Sequence, residues 1–353
     1  MEKSTMKAAV LKAFHQPLAV EEMPIPQPGP GEVLVKVMAS GLCLTDVHIQ
    51  EGIIPSVKPP YIPGHEMAGI VWKLGENVQD KGLRTGMHVI CGIDITCGEC
   101  ALCRGGSENL CLKRVRIGFE RDGSHEQYAV VPYANLHPIS HEIPFDQACI
   151  IPDAVACMYR AIKHQGQVSP GDRVLFYGAG ALGLQGVQIA KCLDAVVYAS
   201  ARTQAKLDQA LAFGADRVIN TREKELVGEI MSITGGQLCD VVFDLVGDTG
   251  TIDLLLRCVR PGGKVIALAY AVDHFTVNCQ ELVIKEKEVL GLRGSTTRDL
   301  LDAIALVESK RIIPYVSNHF ALEQINEALD FLRASKGLGR SVIVFEPQGR
   351  EEP

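Results

Sequence analysis

An α/β chain in two unlike parts, an all-β lobe followed by a doubly wound parallel-sheet domain, is predicted from three features. Up to about residue 150, short runs alternate apolar and polar residues between prolines and glycines, as strands do. From residue 172, short apolar strands alternate with segments of helical spacing, the rhythm of a parallel sheet with crossover helices. The turn Gly178-Ala179-Gly180-Ala181-Leu182-Gly183 stands where the first of these strands passes into the first helix.

In chain order, strands are predicted over 7–14 and 32–39, the latter with Val33, Val35 and Val37 on one face. Pro24, Pro26, Pro28, Gly29, Pro30 and Gly31 mark a surface loop between them. Further strands follow at 68–74, 88–91 and 127–132, and the texture changes near Asp153. The alternating region then runs as strands at 172–177, 195–200, 218–220, 241–246 and 264–269, with helices at 181–192, 203–213, 224–233 and 251–259. Two amphipathic helices (298–308 and 322–334) and a strand at 341–345 close the chain.

A chain of 353 residues is long enough for two domains. Its 35 basic and 42 acidic residues, net charge -7, argue against a nucleic-acid or anionic-membrane surface. No apolar run reaches the roughly 18 residues of a membrane span. The charged start Met1-Glu2-Lys3 does not read as a signal peptide, so a cytoplasmic protein without nucleic-acid or membrane partners is expected. In that setting its 12 cysteines read as thiols and metal ligands rather than disulfides.

Two cysteine-bearing regions carry chemistry. Gly64-His65-Glu66 offers adjacent imidazole and carboxylate groups at the mouth of a strand. Upstream, Gly41-Leu42-Cys43-Leu44-Thr45-Asp46-Val47-His48 reads as one short loop bearing a thiol, a hydroxyl and a second imidazole. Sulfur, nitrogen and carboxylate oxygen are the donors of a catalytic zinc that keeps one position open. Cys97, Cys100, Cys103 and Cys111, separated by two, two and seven residues, suit a closed structural zinc site. An iron–sulfur cluster takes the same ligands. A nucleic-acid-binding ribbon is countered by the acidic balance and the lack of interleaved aromatics.

In its strand-turn-helix setting the glycine turn reads as a dinucleotide fingerprint. Gly178 makes the turn, Gly180 admits a pyrophosphate, and Gly183 lets the helix lie on the sheet. Backbone N–H groups at Ala181 and Leu182 open that helix, where phosphate is received. About twenty residues on, where an NAD enzyme shows Asp or Glu, stands Ser200-Ala201-Arg202. Ser200 would not repel a 2′-phosphate and Arg202 could pair with one, which favours NADP over NAD.

These motifs occur in the order seen in zinc-dependent medium-chain alcohol dehydrogenases, which the whole chain resembles. The resemblance implies a GroES-like β domain over 1–153 and 295–353 with a structural-zinc lobe at about 92–114. It also implies an inserted Rossmann domain over 154–294 and a cleft between the domains, closing over coenzyme and substrate. Two zinc ions per chain, NADP or NAD, an alcohol/carbonyl substrate and a homodimer or homotetramer are expected. Cys43, His65 and Glu66 match the family's catalytic-zinc region, Glu66 as a direct or exchanging ligand, and Asp153 matches the last protein ligand. A carboxylate at that last position resembles the threonine- and polyol-dehydrogenase branches. Thr45 and His48 match the proton relay, Arg340 a contact to coenzyme phosphates, and Val246 with Gly247 the nicotinamide-ribose region. Leu44 and Cys157 depart from the usual residues. Asp94 hints at a polar substrate, and Arg293 at an anionic one. A metal-free reductase of the same superfamily lacks the thiol and the lobe. A non-catalytic nucleotide-binding protein would tolerate loss of Cys43, Thr45 or Asp153. An enzyme running mainly in the reducing direction remains an alternative.

Overall fold

A computed structural model describes residues 4–78, 82–269 and 274–345; the outer ends of the first expected domain, 1–3 and 346–353, lie outside them. The chain divides into two compact units. One holds the described residues up to Asp153 with Ser295–Lys310 and those from Pro314 onward; the other is Ala154–Gly294 with Arg311–Ile313.

The first unit is built on a seven-stranded sheet whose central member is Glu32–Leu42. Glu66–Leu74, Arg340–Val344 and Tyr128–Pro132 all pair with it antiparallel. Val33, Val35 and Val37 point into the core, as the alternation predicts. The strand runs past residue 39 because Gly41 pairs with Glu66 and Leu42 with Ser341. That extension delivers Cys43 beside the start of the neighbouring strand.

Two sequence expectations change here. The first strand stops at Val10, before His15 takes a left-handed turn (φ 62°), and returns as an unpredicted strand, Ala19–Pro24. The stretch read as a loop after Cys43 is a helix, Leu44–Gln50. The Cys43 N–H donates to Asp46 Oδ2 at 2.8 Å, tying the helix start to its own third residue.

In the second unit six parallel strands run in the order Arg217–Asn220, Val196–Ala201, Arg173–Tyr177, Cys239–Asp244, Val259–Ala267 and Glu288–Gly291. The order reverses at Arg173–Tyr177, the switch point of a doubly wound fold. Phe176 and Phe243 stack across its centre with ring centroids 4.9 Å apart. The edge strand Glu288–Gly291 escaped the sequence reading because only Val289 and Leu290 are apolar. Among the described residues no helix is long and apolar enough to cross a membrane.

Candidate metal centre and coenzyme turn

Cys43, His65 and Asp153 converge within the first unit, with one donor atom of each lying within 4.8 Å of the others. Cys43 caps the helix Leu44–Gln50, His65 precedes the strand Glu66–Leu74, and Asp153 sits in the π-helical turn Ile151–Val155. Wide helical turns of that kind recur at functional sites. His65 Nε2 lies 3.9 Å from Asp153 Oδ2, while its Nδ1 faces Asp46 Oδ1 at 3.3 Å. A carboxylate behind a histidine fixes the ring and leaves the far nitrogen free to ligate, the usual arrangement at zinc. Burial opposes ionisation of Asp46, but the His65 imidazole and the Cys43 N–H hold its carboxyl below the usual range. The thiolate, imidazole and carboxylate donors thus fit Zn2+ with a position to spare.

Glu66 and Arg340 depart from their expected places. Glu66 is fully buried and lies outside this group of three donors; its carboxylate accepts from Arg340 Nε (3.1 Å) and Nη2. Gly41 makes this possible, since a Cβ there would sit 1.8 Å from Glu66 Oε2. The Arg340 guanidinium, expected at coenzyme phosphates, is itself buried and also donates to Asp153 Oδ2 at 2.5 Å. Sheet pairing explains the correction, because Ser341 lies opposite Leu42 and Gly41 opposite Glu66. Burial and the Asp153 carboxylate push Glu66 up to about 8 against the pull of Arg340. Asp153, opposed by burial, is held low by Arg340 and His65.

Thr45 Oγ1 lies 3.4 Å from Cys43 Sγ, and His48 follows three residues later on the same helix face. Burial lowers the pKa of His48, partly offset by Glu51. Asp46 and the buried His125, 3.8 Å from Asp46 Oδ1, are functional residues that sequence reasoning missed. The signal for Asp46 was its place three residues after Cys43 at a helix start. Burial pushes the His125 imidazole down to about 4, against the Asp46 carboxylate and with the help of His65.

The four cysteines of the lobe come together as well, with Sγ···Sγ separations of 3.5–4.0 Å. A tetrahedron of Zn–S bonds of about 2.3 Å has edges of about 3.8 Å, so the cluster has the size of a closed zinc site.

In the second unit Gly178 adopts φ 113°, and its N–H donates to Ser200 O at 3.1 Å, as does that of Ala179 at 2.9 Å. Gly180 caps the helix Ala181–Lys191, which includes Leu182 in its first turn. A Cβ at Gly183 would come 2.1 Å from Gly178 O, so only glycine lets this helix lie against the turn. Ser200 is buried with its hydroxyl on Phe176 O at 3.5 Å, so its side chain faces the sheet and not a ribose. Arg202 is exposed beyond the strand end. Val246 and Gly247 are held by N–H donation to Asp244 Oδ1, both at 3.0 Å, a clamp the sequence did not reveal.

Two family models match the chain. The family model for the alcohol dehydrogenase GroES-like domain matches residues 29–141, and that for the zinc-binding dehydrogenase matches residues 181–309. An L-threonine 3-dehydrogenase of Pyrococcus horikoshii is 33% identical over 92% of this chain and 94% of its own. An alcohol dehydrogenase of Rhizobium meliloti is 33% identical over 96% of this chain and 98% of its own. The structure of an acetophenone reductase from Geotrichum candidum in complex with NAD superposes with a TM-score of 0.88 at 30% identity, covering 98% of each chain. Matched by both models and by whole-length relatives at 33% identity, the chain belongs to the zinc-dependent medium-chain dehydrogenase family.

Proposed function

We propose that this NAD(P)-dependent alcohol/carbonyl oxidoreductase acts on a small polar or polyol-like alcohol, with Cys43, His65 and Asp153 holding a catalytic zinc and Cys97, Cys100, Cys103 and Cys111 a structural one. The convergence of the first three donors, backed by Asp46, carries this reading. Zn2+ in such a set supplies Lewis acidity that lowers the pKa of a substrate hydroxyl. The protein's part is proton management. Thr45 Oγ1, beside Cys43 Sγ, would receive the hydroxyl proton while releasing its own, and His48 would pass the proton on to solvent. Glu66 keeps Arg340 in place and does not ligate. The carboxylate ligand Asp153 and the acidic side chain of Asp94 favour a polar substrate over a plain alkyl alcohol. Coenzyme reduction with polyols, amino-alcohols and simple alcohols in parallel tests this; faster turnover of simple alcohols would overturn the substrate class. A homodimer or homotetramer fits the exposed Val283 and Ile284 near the edge strand Glu288–Gly291.

His48→Gln should lower kcat for alcohol oxidation roughly tenfold, less than the 10²–10⁴ of a direct proton-transfer group because water can substitute. Since burial lowers its pKa below 6.5, His48 is a neutral acceptor at pH 7. Wild-type kcat should therefore fall only at more acid pH, and the variant should lose that limb. Added imidazole buffer should restore the rate; an unchanged profile would remove His48 from the path.

NADP is the coenzyme this reading favours. No carboxylate of the described residues pairs with Arg202 or Lys206, and burial together with the Arg202 charge pulls the Lys206 pKa down. Two adjacent cations without a counterion suit a 2′-phosphate. Arg202→Ser should raise KM for NADP about 10–100-fold, the loss of one charge-assisted contact, and leave KM for NAD unchanged. A wild-type preference for NAD would defeat the assignment.

A further inference from the structure

His125 lies in a segment that clasps the metal-site turn. The N–H groups of Gly123, Ser124 and His125 donate to the carbonyls of Ile62 (2.8 Å), Gly64 (2.8 Å) and Pro63 (3.0 Å), and the His125 carbonyl accepts from Ala9 (2.8 Å). Gly64 (φ 101°) leaves room for this approach, since a Cβ there would come 2.7 Å from His125 Nδ1 and Ser124 Oγ. Backbone pairing therefore sets where the ring stands.

The ring is fully buried yet polar on both sides. Its Nδ1 lies 2.9 Å from Ser40 Oγ, which in turn lies 2.6 Å from Ser124 Oγ. Its Nε2 faces Asp46 Oδ1 at 3.8 Å. Asp46 Oδ1, His65 Nδ1 and His125 Nε2 are all buried without a hydrogen bond, and they converge on one another. Buried polar atoms are ordinarily paired, so three together mark a junction and not packing alone. A carboxylate oxygen only accepts, so the proton of the neutral His125 ring belongs on Nε2. Nδ1 then accepts from the Ser40 hydroxyl.

We infer that His125 is a positioning residue of the metal centre: with His65 it shares Asp46 Oδ1, fixing the carboxylate that aims His65 Nε2 toward Cys43 and Asp153. This rests on the reading of those three residues as metal ligands. It sets two imidazoles against one oxygen of Asp46, and makes metal retention depend on a side chain outside the three donors.

Full-length zinc-loaded protein carrying His125→Asn or His125→Gln tests it. Asparagine reaches only the place of Nδ1, keeping Ser40 and giving Asp46 no donor; glutamine carries an amide N–H to the place of Nε2. Zinc release to a chromophoric chelator should be about 10-fold faster from the catalytic site of the Asn variant, the lower end for loss of an outer hydrogen-bond partner, and near wild type for Gln. Release from the four-cysteine lobe should match wild type in both. With Co2+ in the catalytic site, the thiolate absorption band should shift in the Asn variant and not in the Gln variant. Ser40→Ala, which unties Nδ1, should speed release in the same direction. Equal release from Asn, Gln and Ser40→Ala proteins that hold both metals would overturn the role of His125. Wild-type protein that holds only the lobe zinc would overturn the metal reading and this inference with it.

Discussion

Replacing His65 by alanine or Asp153 by asparagine should lower kcat/KM for alcohol oxidation by about 10⁴-fold and reduce zinc from two ions per chain to one. The magnitude follows from the several kcal/mol that a Lewis acid contributes to such a reaction, at about 1.4 kcal/mol for each tenfold. Asp153→Asn is the sharper variant because it keeps shape and removes only charge. An amide oxygen is a weak zinc ligand, and it removes one of the two carboxylates that accept from Arg340. Alanine at His65 removes the nitrogen donor and leaves Asp46 Oδ1 facing the His125 ring without the His65 ring. The remaining zinc should belong to the lobe, whose sulfurs form a separate cluster of their own. Metal analysis beside kinetics decides the matter: variants that keep two ions and wild-type turnover would sink the assignment of the catalytic ligands.

The parts of this design that were legible in the sequence are those written locally. Val33, Val35 and Val37 announce a half-buried strand because strand periodicity needs only a few residues. Gly178 and Gly183 announce the coenzyme turn because each meets a local demand, a left-handed backbone and a close approach to Gly178 O, within six residues. The lobe cysteines are legible for the same reason. The helix Leu44–Gln50 was not, since seven residues give barely two turns and its start depends on a hydrogen bond from Cys43 to Asp46.

What could not be read is what sheet register creates. Arg340 meets Glu66 across 274 positions of sequence, and His125 meets Ser40 across 85. An arginine near the chain's end resembles a phosphate contact until the pairing of Ser341 with Leu42 brings it beside the metal ligands. Similarly, Ser200 stands where an acid would meet the ribose, and only its burial shows the hydroxyl turned to Phe176 O.

Arg340→Met should therefore act on stability and metal retention before it acts on coenzyme. The guanidinium is the shared partner of Glu66 and Asp153; Glu66, at 0% side-chain exposure, cannot be rehydrated where it stands, and Asp153 keeps only 19%. Removing one partner of a buried ion pair typically costs about 3–5 kcal/mol, because the charges left behind have no solvent. The pH dependence has a definite sign. Burial already raises Glu66 above its ordinary 4.5, to about 8, and loss of Arg340 raises it further. A carboxyl whose folded-state pKa lies above its unfolded value stabilises the fold at low pH and loses that contribution as pH rises. Urea midpoints of the variant should accordingly fall further below wild type at pH 8 than at pH 5.5, where Glu66 can hold a proton. Zinc should leave its catalytic site faster at both values, since Asp153 has lost the group that orients it. A coenzyme-phosphate role would show the reverse: KM for NADP raised tenfold or more, with urea midpoints and zinc retention unchanged at either pH.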